Sequence, residues 1–278
     1  MWLMKRYATQ RWMFSILVWS LMNLSGCGSK PAAQSSSSIA SGNWSIVATS
    51  ANASNRIFTV GGSIAQNGAS LSGKVHVLAP CEAPNASDPN QSVVIKGTVS
   101  GDVFDLQAGP TAAGTMLTFV LSGEGKSLQS LKGTFTESDD CGLADQGTVT
   151  AVLVPSVSGT WAAPGTPSAG HSGVIVWLGL KQDPTSNESG AYNLNGVVTY
   201  INASCEADAV PISGYLAGSI LSIGVDESST NPVVFFATGS FTPPNISTFA
   251  GEYQTKDGGT LPACAGDKGS ITFELQTD

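Results

Sequence analysis

Apolar and polar residues alternate in short runs along this 278-residue chain. In the stretch 71–77, Leu71, Gly73, Val75 and Val77 share one parity, and Ser72, Lys74 and His76 share the other. Successive side chains of a strand point to opposite faces, so this is the pattern of a half-buried strand. No window carries a persuasive 3.6-residue period. Runs bounded by turn signals predict strands near 42–49, 56–66, 70–79, 92–99, 102–107, 115–122, 127–136 and 147–154. Asn67-Gly68 and Ser100-Gly101-Asp102 are hairpin-type turns. A second set is predicted near 159–163, 172–182, 190–202, 209–217, 218–225, 232–240, 246–255 and 268–276.

The two sets are copies. Ser41-Gly42-Asn43-Trp44 opens the first and Ser158-Gly159-Thr160-Trp161 opens the second. Each has one cysteine after its third apolar run (Cys81, Cys205) and another before its last (Cys141, Cys264), 60 and 59 positions apart. Trp44 to Cys81 is 37 positions and Trp161 to Cys205 is 44, and the loop tip from Gln182 to Ser189 can absorb the difference. Only Pro155-Ser156-Val157-Ser158 joins the copies, so the domains, 42–154 and 158–278, should sit close together.

Eight short antiparallel strands per copy, with no crossover helix, predict an all-β protein of two tandem up-and-down barrels, which remove sheet edges by closing. A pair of β-sandwiches is the runner-up. The Gly-x-Trp of Gly42-Trp44 and Gly159-Trp161, opening the first strand of each copy, resembles the lipocalins and avidin-like proteins. That resemblance implies a tryptophan packed into the closed barrel base, and it speaks to architecture rather than ligand.

The first residues are an address. Lys5, Arg6 and Arg11 precede the short apolar run Trp12 to Met22, as in a signal peptide over 1–26. Leu24-Ser25-Gly26-Cys27 resembles the lipobox of bacterial lipoproteins. This implies lipidation of Cys27, a membrane partner through that lipid, and residence in the cell envelope. Gly28 and Ser29 after it imply the outer membrane by the enteric sorting rule. Residues 27–41, rich in serine, read as a flexible tether.

Cleavage removes three of the twelve basic residues and no acid, which leaves nine against twenty acidic and a net charge of −11. Such a chain, without a Lys/Arg cluster, does not suit nucleic acid, whose phosphates need clustered cations. Exported cysteines pair. The repeat favours Cys81–Cys141 and Cys205–Cys264, each bond closing its own copy and drawing two loops across one barrel mouth. In the chain-entropy model, a loop of that size contributes roughly 4 kcal/mol.

Catalytic chemistry is thin. There is no Gly-x-Ser-x-Gly elbow, no phosphate-binding glycine loop and no dinucleotide fingerprint. His76 and His171 read as solvated surface residues. Acids cluster in loops, with Asp139, Asp140 and Asp145 around Cys141 and the pair Asp226-Glu227. A calcium site at 137–145 is the functional reading of the first cluster and a solvated acidic loop the plainer one. The expectation is no metal and no cofactor. Trp177, Tyr192, Tyr200, Tyr215, Phe235 and Phe236 make the second copy the more aromatic. They read either as an apolar or carbohydrate-stacking pocket or, preferred, as core and domain-interface packing. The runs 174–178 and 233–237 are apolar on both faces, and their outer face is expected to meet the first domain.

These features predict a non-enzymatic envelope module that recognises a protein or glycan through its surface. The alternative is a lipocalin-like carrier with a small apolar ligand inside each barrel. Peptide mapping of the oxidised protein without reductant should recover two linked peptide pairs, Cys81 with Cys141 and Cys205 with Cys264. A pair linking the two copies would refute the strap.

Overall fold

The computed structural model describes residues 40–52, 56–79, 92–124, 127–140, 143–167, 174–201, 206–225, 233–242, 245–257 and 268–276. Sixteen strands and no helix form among them. Barrel one contains β1 (Gly42–Ser50), β2 (Ile57–Asn67), β3 (Ser70–Leu78), β4 (Ser92–Ser100), β5 (Val103–Ala108), β6 (Met116–Glu124), β7 (Ser127–Asp140) and β8 (Leu143–Val154). Barrel two contains β9 (Gly159–Pro167), β10 (Val174–Ser186), β11 (Tyr192–Ile201), β12 (Glu206–Ala217), β13 (Ile220–Val225), β14 (Val233–Thr242), β15 (Asn245–Asp257) and β16 (Lys268–Leu275). Every strand pairs antiparallel with its sequence neighbours. β8 returns to β1 and β16 to β9, so both sheets close. The barrel, not the sandwich, is the architecture, and each predicted strand has its counterpart.

The repeated tetrapeptide builds each base. Trp44 and Trp161 are buried, and their indole Nε1 atoms donate to the carbonyls of Ala40 (2.7 Å) and Val157 (3.0 Å). Gln66 and Gln182 clasp the same turns. Each side-chain oxygen accepts from the backbone N–H of Ala40 (3.1 Å) or Val157 (3.0 Å). Each glutamine's own N–H donates to Ser41 Oγ or Ser158 Oγ, both at 2.9 Å. Barrel packing therefore begins at Ala40, inside the stretch read as tether. Gly42 and Gly159 hold φ of 148° and 151°, where a side chain is strained, and a Cβ there would strike Leu153 or Leu275 of the closing strand.

The interior is filled. In barrel one, Phe58, Phe104, Phe119 and Phe135 pack with Trp44 and aliphatic side chains from all eight strands. The void they leave, bounded by Trp44, Ile46, Phe104 and Leu131, measures about 10 Å³, at most one water. In barrel two, Trp161 meets Phe241 (5.6 Å between ring centres), Phe241 meets Phe249 (5.4 Å), and Phe249 meets Phe273 (5.8 Å). Full burial of one such ring stabilises by roughly 1.5–3 kcal/mol.

Narrow closure needs inward positions without a side chain. A Cβ at Gly133 would lie 1.8 Å from the Val120 carbonyl oxygen, and one at its counterpart Gly251 would lie 2.0 Å from that of Thr238. These contacts are with backbone, so only a strand shift could relieve them. Gly133→Ala should destabilise the protein by about 2–3 kcal/mol, in the range for overpacked cores. Urea unfolding of the variant beside the wild type measures it, and an unchanged midpoint would contradict the account.

Candidate functional site

Polar side chains gather at two places that strand alternation alone does not explain: the mouth of barrel one and the junction between the barrels.

Inward positions on β1, β2, β7 and β8 carry apolar side chains from the base up to Ala48, Phe58, Phe135 and Val149. Beyond Phe58 and Phe135 the inward positions become Ser50, Arg56, Glu137 and Asp145, and both carboxylates are buried. Asp145 Oδ1 accepts from Ser50 Oγ (2.8 Å), Asn52 Nδ2 (2.8 Å) and the Gln146 N–H (2.7 Å). Its Oδ2 faces an Arg56 guanidinium nitrogen at 3.6 Å, with the two side chains 0% and 12% exposed. The guanidinium lies 5.1 Å from the centre of the Phe58 ring. Glu137 stands opposite Asp145 in the β7–β8 register.

This cluster bears on Asp145 of the acidic stretch 137–145, while the side chains of Asp139 and Asp140 lie outside the described residues. Asp145 is not solvated but buried, held through Oδ1 by three hydrogen bonds, and the charge beside its Oδ2 is a guanidinium. A glycosidase pair needs both carboxylates to reach one sugar across a cleft, and Asp145 presents no free surface. No group of three or more His, Cys, Asp or Glu arranged for a metal occurs among the described residues. The cluster ends the apolar core of barrel one with polar groups, of which Asp145 Oδ1 is the best satisfied.

The junction is built from outward positions of β1–β3 and from two turns of barrel two. Asn43 and Gly218 exchange two hydrogen bonds. Asn43 Nδ2 donates to the Gly218 carbonyl (2.9 Å), and the Gly218 N–H donates to Asn43 Oδ1 (2.7 Å). Ser45 Oγ lies 3.0 Å from Ser219 Oγ. The Ser63 N–H donates to the Gly190 carbonyl at 2.9 Å. Backbones approach so closely that a Cβ at Gly61 would lie 2.4 Å from the Ala217 oxygen, and one at Gly190 would lie 1.9 Å from the Lys74 oxygen. Gly190 closes the turn after β10, where Asn187 Oδ1 accepts from the Ser189 and Ala191 N–H groups. The extra length of the second copy is therefore a gripping tip and not slack.

His76 points outward as its parity required, but it is 5% exposed rather than solvated. Its ring stacks on Tyr215, 6.3 Å between centres at 18°. A strand face that looks solvent-directed in one barrel is covered by the other. Beside the junction an open cleft of about 430 Å³ runs along Asn43, Ser130, Leu153, Pro155 and Tyr192, with no charged residue among the described residues of its lining. Two further grooves lie on outer faces, about 570 Å³ over Glu252, Gln254 and Lys268, and about 450 Å³ over Lys96, Asp105 and Gln107.

The six aromatics do not converge on one pocket. Tyr192 and Tyr200 are buried in the core of barrel two, and Tyr215 sits at the junction. Trp177, expected to face the first domain, is instead 45% exposed, with Val197 beside it at 46%. Barrel one meets the turns that close barrel two, not the outer face of β10. The side chains of Phe235 and Phe236 lie outside the described residues, as do His171 and the Asp226-Glu227 pair. So do residues 1–39 and all five cysteines, and with them the leader, the lipidation site Cys27 and the pairings Cys81–Cys141 and Cys205–Cys264. The strands flanking the cysteines are described. The ends of β3 and β7, like those of β11 and β15, open at one end of their barrel and lie four strands apart around it.

No family model and no curated protein matches this chain. Among solved structures, it is similar to a protein of unknown function from the DUF3598 family of Nostoc punctiforme, with a TM-score of 0.27, 9% identity, and coverage of 86% of this chain and 96% of that one. It is also similar to kievitone hydratase from Nectria haematococca, with a TM-score of 0.23, 7% identity, and coverage of 86% and 90%.

Asp145→Ala would leave Arg56 buried beside an empty space. Removing one partner of a buried pair costs about 3–5 kcal/mol, so this variant should lose that much stability. Asp145→Asn, which keeps acceptor and shape, should lose less. Thermal unfolding of both ranks them, and an Asp145→Asn variant as stable as the wild type would show that the charge has no part in the cluster.

Proposed function

We propose that this chain is a lipid-anchored cell-envelope protein, acylated at Cys27, whose tandem barrels form a non-enzymatic recognition module. The observation that carries the reading is the filled interior of barrel one. A carrier of a small apolar ligand needs a pocket of several hundred cubic ångströms, commonly ~300–1,000 Å³. The void inside barrel one is about 10 Å³. Recognition then falls to the surface, where the uncharged cleft beside the junction offers hydroxyl, amide and tyrosyl groups. That lining suits a neutral partner such as a glycan or an uncharged stretch of an envelope protein, and the acidic chain repels polyanions. Asp145 at the mouth of barrel one is held by Ser50, Asn52 and Arg56, which supports a module without catalysis.

Native mass spectrometry of the mature protein, taken from its own membrane with disulfides intact, tests both parts. The expected mass is that of the acylated chain alone, and Cys27→Ser should move the protein to the soluble fraction. A small apolar adduct that leaves on denaturation would replace this reading with the carrier. An unacylated mature chain would remove the anchor.

A further inference from the structure

The barrels are copies, so the face that barrel one offers to barrel two has a counterpart on barrel two. Strand register defines it. Ser45 lies opposite Gly61 and Asn43 opposite Ser63, while Ala162 lies opposite Trp177 and Thr160 opposite Gly179. One strand on, His76 pairs with Gly61 and Lys74 with Ser63, while Thr199 pairs with Trp177 and Val197 with Gly179. The junction residues Asn43, Ser45, Gly61 and His76 therefore correspond to Thr160, Ala162, Trp177 and Thr199. The exposed patch of barrel two is the junction face, repeated.

One of the two elements that dock is repeated as well. In barrel two it is the β12–β13 turn, Ala217-Gly218-Ser219, with Gly218 at φ 59°. In barrel one the same turn is Ser100-Gly101-Asp102, with Gly101 at φ 64° and all three residues exposed. A second copy of this chain could in principle lay that turn on barrel two as barrel two lays its own on barrel one. Such a head-to-tail contact uses different surfaces on its two sides. It does not close on itself and would grow into an open array.

We propose that Trp177 bars the outer face of β9–β11 to a second copy of this chain and so ends the array at two barrels. At Gly61 a single Cβ would already sit 2.4 Å from the Ala217 oxygen and 2.9 Å from the Gly218 nitrogen. An indole at the corresponding position holds the incoming turn away altogether. The chemistry of the clasp is removed too. Asn43, which exchanges two hydrogen bonds with Gly218, is replaced by Thr160, and Ser45, which meets Ser219, by Ala162. The turn that would approach carries Asp102 where Ser219 stands, so its carboxylate would be desolvated against Ala162 without a donor. Trp177 and Val197 stay exposed on this account because their task is exclusion.

The test restores the face. In a Cys27→Ser background, which prevents an acyl chain from driving association, the full chain and its Thr160→Asn, Ala162→Ser, Trp177→Gly variant are compared by analytical ultracentrifugation over a wide concentration range. The parent is expected to keep a monomer mass throughout, and the variant's weight-average mass to rise with concentration. A variant that retains the parent's circular dichroism and melting temperature yet stays monomeric overturns the proposal. So does a parent that associates and is made monomeric by Trp177→Lys, because the face would then be a docking site. Should the triple variant fail to fold, the reciprocal change decides. Gly61→Trp places the indole at the existing junction and should separate the barrels, seen as a larger radius of gyration in solution scattering. An unchanged radius overturns the steric argument.

Discussion

Closing eight strands into a barrel leaves an interior that side chains can just fill, and the rest of this molecule follows from that constraint. Strands so tightly curved must pass one another closely. Glycine therefore stands at inward positions such as Gly133 and Gly251, where any side chain would meet a neighbouring carbonyl. The remaining inward positions take phenylalanine, tryptophan and aliphatic residues until almost no space is left. At one end the core is stopped by tryptophan and a glutamine clasp, repeated in both copies. At the other end of barrel one it is stopped by Asp145 and the groups that hold it, Ser50, Asn52 and Arg56. The inside of barrel one is thereby occupied.

The outside is where the copies part company. Their bases use the same residues in the same geometry, and their strand orders are the same. Their outer faces over the first three strands are opposite in character. In barrel one this face is flat and polar, with glycine where a backbone must come within van der Waals distance and asparagine where a turn must be held. In barrel two it carries an indole. Duplication of a barrel duplicates both halves of any contact between the copies, and a contact between unlike surfaces propagates unless one of them changes.

The junction also alters the meaning of exposure. Asn43, Ser45 and His76 sit at outward positions and are nevertheless buried, because a second barrel covers them. Their hydrogen bonds and ring stacking fix the second barrel against the first, which in turn shapes the uncharged cleft beside the linker.

Period-two alternation, hairpin glycines and the doubled Ser-Gly-x-Trp motif determined the strands, their order, the closed fold and the tryptophan at each base, because each rests on contacts between neighbours in sequence or in a meander. The unmatched length at 182–189 was legible as an insertion but not as a grip. Sequence parity placed His76 and Trp177 on outer faces and had no means of saying which of those faces is covered. It likewise showed acids near 145 without showing that Asp145 turns inward to meet Arg56 and Asn52, about ninety positions earlier in the chain. Alternation reports only which side of a sheet a residue occupies. What lies on that side is decided by groups brought there by barrel closure and by the docking of one copy on the other.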